Sequence, residues 1–187
     1  AYADAMLERC HVCKGKEHKI YDELIETIRD EKKICHYLDL PIQHASDRIL
    51  KRMGRRTTRA QLEEIIGKLR KEIPDIALRT TLITGFPGET QEDHEELMAF
   101  VDEMEFDRLG VFTYSQEEDT PAATMEDQID EEVKKDRQEE LMELQQEVSL
   151  DKNEEKIGRT MFAMVEGYLS DENVYVARTY ADAPGID

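Results

Sequence analysis

Apolar positions along the chain change their period several times, and each change marks an element. Tyr21, Leu24, Ile25 and Ile28 recur at helical spacing, and Tyr37, Leu38 and Leu40 then read as a short strand closed by Pro41. Leu62, Ile65, Ile66, Leu69 and Ile73 form a second helical stripe, opened by a capping box of Thr58 with Gln61 and ended by Pro74. Ile76 to Thr84 is a near-continuous apolar and β-branched run, the pattern of a strand covered on both faces. Thr90 with Asp93 opens a helix whose stripe is Leu97, Phe100, Val101 and Met104, and Leu109 to Tyr114 is the next strand. Helices alternating with strands at these lengths predict βαβ units, a parallel sheet and an α/β fold class.

A loop from Ser115 to Met125 holds Pro121 and precedes a long acidic helix from Asp130 to Glu155, with Val133, Leu141, Leu144 and Val148 on the face that packs on the preceding domain. After Gly158 the period becomes two. Thr160 to Tyr168 and Asn173 to Thr179 read as antiparallel strands joined by a turn at Ser170–Asn173. An isolated hairpin is marginal in water, so these strands read as the opening of a small β-domain that has been cut off.

Charge and composition narrow the classes. The 187 residues carry a net charge of −19, from 44 acidic and 25 basic side chains. Such a chain repels nucleic acid unless its cations cluster, so direct nucleic-acid binding is not expected and a basic protein partner suits the field better. Solvation of helix surfaces accounts for the same acids. Three cysteines, Cys10, Cys13 and Cys35, are too few and too odd in number for a disulfide framework. No apolar run approaches the roughly 20 residues of a membrane span, and no secretory signal is visible, so a cytoplasmic protein is expected.

Candidate chemistry sits where strands end. In a parallel α/β sheet, ligands lie beyond the carboxyl ends of the strands. After the Ile76–Thr84 run comes Gly85-Phe86-Pro87-Gly88-Glu89-Thr90, in which Gly85 and Gly88 permit positive φ and close approach to a ligand. An ordinary strand-to-helix turn uses the same residues. The preceding strand presents Gln43, His44, Ser46 and Asp47, groups able to hydrogen-bond a ribose or a substrate, although Ser46 or Asp47 also suits a helix cap. Arg48, Lys51, Arg52, Arg55 and Arg56 follow, able either to hold a carboxylate or phosphate or to balance neighbouring acids. The third strand ends in Tyr114, Ser115 and Thr120. Three consecutive polar strand ends are how barrel active sites are assembled, and they favour an enzyme over an acidic scaffold.

The segments YLDLPIQHASDRILKRMGR, TTLITGFPGET, FTYSQEEDTPAA and ARTYADAPGID resemble, in order, segments of the radical S-adenosylmethionine methylthiotransferases. The resemblance implies the C-terminal portion of a (β/α) partial barrel over residues 20–129, a linker helix over 130–155 and the truncated start of a TRAM-like β-barrel over 156–187. It implies that Ile83, Gly85, Phe86, Pro87 and Gly88 wall the adenine of S-adenosylmethionine. Gln43, His44 and Ser46 become candidates for ribose or substrate contact, and Arg79 for a carboxylate. Pro41-Ile42-Gln43-His44 and Ala181-Asp182-Ala183-Pro184 resemble the protein-modifying branch, which adds a methylthio group to the β-carbon of an aspartate in a small-subunit ribosomal protein. The alternatives are the transfer-RNA branch and a non-catalytic binding fragment. The family uses 4Fe–4S clusters to cleave S-adenosylmethionine reductively to a deoxyadenosyl radical.

Residues 1–19 do not fit the resemblance. The family's Cys-x3-Cys-x2-Cys triad, three thiolates on one cluster, is absent, and no catalytic residue can be named. Cys10-x2-Cys13 echoes the last two members of that triad; an unrelated leader, a zinc site completed by His11 or His18, and a cluster remnant all remain open. Without a cluster the chain alone is expected to be inactive. Cys35 is expected to be a small buried hydrophobe beside a strand.

Overall fold

The structure, a computed structural model, describes residues 17–185. Helix α1 (Glu17–Asp30) leads into strand β1 (Tyr37–Asp39), the short helix α2 (Asp47–Arg52) and helix α3 (Arg59–Glu72). Strand β2 (Ala77–Thr84), helix α4 (Gln91–Met104) and strand β3 (Arg108–Thr113) follow, then a 3-10 turn (Pro121–Thr124) and helix α5 (Glu131–Glu154). Strands β4 (Met164–Leu169) and β5 (Val174–Arg178) close the described chain as an antiparallel hairpin.

The three first strands are parallel and adjacent in the order β1-β2-β3, with Asp39 beside Arg79 and Ile83 beside Phe112. Each strand lying next to its chain neighbour is the order of a barrel segment, so the α/β class and the parallel sheet are as expected. Both capping boxes are present, Thr58 with Gln61 and Thr90 with Asp93. Each satisfies two backbone amides at a helix start, which is why those boundaries agree with the sequence.

The helices bury one face of the sheet. Leu78 and Leu82 of β2 meet Leu62, Ile66 and Leu69 of α3 and Leu97, Phe100 and Val101 of α4 in one core. Each such fully buried side chain contributes about 1.5–3 kcal/mol. The opposite face, with Arg79, Thr81 and Ile83 of β2, is only half-buried, and Phe112 beside Ile83 is 60% exposed. The expectation that this strand is covered on both faces therefore fails: its outward row is Arg79, Thr81 and Ile83, a polar and β-branched set that reads as apolar only when the rows are merged.

Helix α5 packs across β3 and α4. Its inner face is Lys134, Arg137, Leu141, Gln145 and Val148, while Val133, expected on that face, is 39% exposed. Polar side chains on and beside this face bond to backbone: Gln138 Nε2 donates to the Val111 carbonyl at 2.6 Å and Gln145 Nε2 to that of Phe106 at 2.8 Å. Cys35 is exposed rather than buried, because it stands in the loop before β1. It lines a groove of about 660 Å³ with Ile34, His36, Phe162 and Tyr180, at the amino end of the strands. The hairpin is exposed on both faces but is tied to the sheet by Arg108, which donates to Asp182 at 2.6 Å.

Candidate functional site

The carboxyl ends of the three strands come together. Beyond β1 the chain stays alongside β2: Gln43 N donates to the Thr81 carbonyl at 2.9 Å, and Ile83 N donates to the Gln43 carbonyl at 2.8 Å. Gln43 takes a φ of +72°, an uncommon conformation for a side-chain-bearing residue, and the bend it makes turns His44 inward. At the end of β2, Tyr114 N donates to the Thr84 carbonyl at 2.8 Å, extending the pairing of β2 with β3 by one residue.

The turn after β2 is built around Glu89. Gly85 and Gly88 both adopt positive φ, +70° and +82°, as their sequence implies. The Glu89 side chain is fully buried. Its carboxylate accepts from Gly85 N at 2.7 Å, Phe86 N at 3.2 Å and Thr84 Oγ1 at 3.2 Å, and pairs with Arg137 at 2.9 Å. His44 Nε2 faces it at 3.5 Å, too far for a good hydrogen bond. Burial pushes the Glu89 carboxyl upward, but His44, the Arg137 cation and the Phe86 amide outweigh it, and the group sits below its ordinary value. The Gly85 and Phe86 amides are thus taken by the protein's own carboxylate, while Gly88 N donates to the Asp127 carbonyl at 2.8 Å and Glu89 N to that of Phe86 at 2.9 Å. The space where β-carbons would stand at Gly85 and Gly88 is filled by the Lys134 stem and by Asp127 with Arg52.

A second carboxylate fixes the turn from the β1 side. Asp93 accepts from Ser46 Oγ at 2.7 Å and from the Thr90 amide at 2.8 Å, and pairs closely with Arg48. Burial raises the Asp93 carboxyl, but Arg48, the Thr90 amide and Ser46 together hold it well below the carboxylate range. Arg48 also donates to the Gly88 carbonyl at 2.6 Å. Arg52 donates to the Pro87 carbonyl at 3.0 Å and to Asp127 at 2.7 Å. Of the two uses open to the basic run, Arg48 and Arg52 take the second: they balance acids and grip the turn. Ser46 stands at the N-cap of α2 but makes no cap bond, because its hydroxyl is given to Asp93; Asp47 accepts from Arg59 N at 2.6 Å instead.

The expected site residues divide into two groups. Ile83, Gln43 and Arg79 line the open face or its rim, and Arg79 pairs there with Asp39 at 3.0 Å. His44 is fully buried, and its Nδ1 accepts from Ser46 N at 3.0 Å. Ser46 is 2% exposed. Phe86 turns into an apolar cluster with Ile49 and Tyr114, where Met53, Ile83 and Met125 also pack. Pro87 is buried. Sequence reasoning missed Lys134, Arg137 and Asp127. The first two carried a signal: positions 134, 137, 141, 145 and 148 continue one helical stripe, so a cation there is an inward-facing one.

Among the described residues no group of three His, Cys, Asp or Glu could hold a metal ion. Cys35, at the opposite end of the strands, is the only cysteine among them, so the described residues do not fit an iron–sulfur cluster. Cys10 and Cys13 lie outside the described residues. Nor, among the described residues, is any helix long and apolar enough to cross a membrane.

The sequence matches the profile of the radical SAM superfamily over residues 9–101. It is 61% identical to ribosomal protein uS12 methylthiotransferase RimO of Lachnoclostridium phytofermentans over 179 residues, 96% of this chain and 40% of that protein. Proteins of the same name from Clostridium perfringens and Geobacter sulfurreducens are 57% and 54% identical, over 90% of this chain and 37% and 38% of their own lengths. The chain thus spans about two fifths of the length of these curated relatives.

Proposed function

We propose that the chain is part of a methylthiotransferase of the radical SAM superfamily, acting on an aspartate of a small-subunit ribosomal protein in the cytoplasm. The observation that carries the reading is the reach of the likeness: relatives named for acting on uS12 match the chain through all three strand ends and into the hairpin. The net charge of −19 suits a basic ribosomal protein. The hairpin and its Asp182 anchor would begin a TRAM-like docking domain.

S-adenosylmethionine supplies radical chemistry when bound. In this reading its nucleoside lies on the open face against Ile83, beside the Gln43 bend, with Arg79 and Thr81 along the same row. His44, Ser46, Glu89 and Asp93 hold the strand ends from behind and keep water out of the turn. Phe86, Pro87 and the two glycines shape the wall rather than offering free amides: Gly85 N and Phe86 N are held by Glu89, Gly88 N donates to the Asp127 carbonyl, and Pro87 has no N–H. The described residues supply no ligand set for a cluster.

A chimera tests this. The corresponding residues of the Lachnoclostridium phytofermentans relative are replaced by this chain, so that the rest of that protein supplies whatever this chain lacks. After anaerobic reconstitution, the chimera is given S-adenosylmethionine, reductant and either uS12 or transfer RNA. The expected product is uS12 with a methylthio group on one aspartate. A folded, cluster-loaded chimera that modifies transfer RNA instead, or neither substrate, would sink the reading.

A further inference from the structure

We infer that Glu89 and Arg137 are positioning residues for the wall that meets the cofactor, an inference that rests on the reading above. A tight strand-to-helix turn needs Gly85, Pro87 and Gly88 but no buried acid, and enclosing a carboxylate is unfavourable unless it is paired and hydrogen-bonded. Glu89 is enclosed and saturated. It holds two consecutive amides and the Thr84 hydroxyl on β2, while Arg137, 48 residues further along the chain, comes from α5.

Arg137 also donates to the Glu89 backbone carbonyl at 3.2 Å, so side chain and main chain of one residue are gripped by one guanidinium. The amides that Glu89 binds follow Ile83 by two and three residues, and Ile83 itself hangs from the Gln43 carbonyl. Moving the carboxylate therefore moves the stretch of β2 between the bend of β1 and helix α5. His44 closes the fourth side at 3.5 Å without a hydrogen bond, which leaves the carboxylate anchored mainly by the turn and by Arg137.

The test uses the ¹⁵N-labelled chain, its Glu89→Gln and Arg137→Met variants, and Ile66→Val as a control destabilised in the α3 core away from the turn. Hydrogen exchange of the Gly85 and Phe86 amides is followed without ligand, and S-adenosylhomocysteine is then titrated by amide shifts. Glu89→Gln is expected to speed Gly85 exchange and to weaken the nucleoside roughly tenfold, Arg137→Met less, and Ile66→Val neither. Equal losses in Ile66→Val would reduce Glu89 to a purely structural residue and overturn the inference, as would unchanged Gly85 exchange in Glu89→Gln. Should Glu89→Gln fail to fold, Arg137→Met against Ile66→Val decides by the same criteria. If exchange responds but S-adenosylhomocysteine shifts no amide near Ile83 in any protein, the positioning role falls because the cofactor reading has fallen. Nucleoside shifts with unresponsive exchange overturn this inference alone.

Discussion

Lys134 and Gly85 share one space: the lysine stem lies where a β-carbon on residue 85 would stand. The lysine is 3% exposed, its ammonium donates to the Tyr114 carbonyl at 3.1 Å and to Glu131 at 2.6 Å, and it lies 5.3 Å from the Tyr114 ring centre. A cation brought this far inside has few other places to go, so the glycine is required by its neighbour as well as by its φ of +70°.

Gly85→Ala is therefore expected to destabilise the chain by about 2–4 kcal/mol, the sum of a left-handed alanine and the displacement of a buried side chain. Gly54→Ala provides the comparison. Its φ is +76° but nothing lies within 4 Å of the added carbon, so only backbone strain of about 1 kcal/mol applies. Urea unfolding of the two variants, at a common slope, checks the difference; equal losses would show that Lys134 moves aside freely.

Acid should unfold the protein through its turn. Asp93 and Glu89 both titrate lower in the folded protein than in the unfolded chain. A depressed carboxyl contributes stability that is complete above its unfolded value, near 4, and is lost as pH falls towards the folded one. Unfolding free energy is expected to stay level between about pH 7 and 5 and to fall below about pH 4. Asp93→Asn should lower neutral stability by about 1–3 kcal/mol, the range for lost charged hydrogen bonds, and flatten the acid decline. Urea unfolding across a pH series measures both. An acid slope as steep in Asp93→Asn as in the parent would remove Asp93 from this account.

What could be read from the sequence divides along a physical line. The capping boxes of Thr58 and Thr90, the strand through Leu78 and Leu82 and the stripe of Leu97, Phe100 and Val101 are set by contacts within a turn or two of chain, and periodicity exposes them. The strand ends were legible as places. Which way their side chains face was not. His44 looks free for a ligand in the sequence, yet the left-handed Gln43 sends it inward to Ser46 N. Ser46 looks like a cap, yet Asp93, 47 residues later, takes its hydroxyl. Cys35 looks like a core residue until the loop before β1 leaves it outside. The Ser46–Asp93 bond and the Gln43 bend, which is held by Thr81 and Ile83, depend on partners far along the chain, which local pattern does not encode.

The side chain of Tyr114 is buried just beyond the end of β3. The ring packs at the end of β3 with its centre 5.3 Å from that of Phe86, edge to face, and the residue is 9% exposed. Its oxygen is buried without a hydrogen-bond partner among the described residues. An unpaired buried hydroxyl is unfavourable by about 1–3 kcal/mol, whereas the ring contributes packing and an aromatic contact that phenylalanine keeps. Tyr114→Phe is therefore expected to leave stability unchanged or to raise it by up to about 1 kcal/mol, while Tyr114→Ala, which empties the cluster of Ile49, Phe86 and Met53, should cost about 3–5 kcal/mol. Urea unfolding of both variants makes the comparison. A Tyr114→Phe loss approaching that of Tyr114→Ala would mean that the hydroxyl is bonded in solution and that the cluster is not the apolar seat described for Phe86.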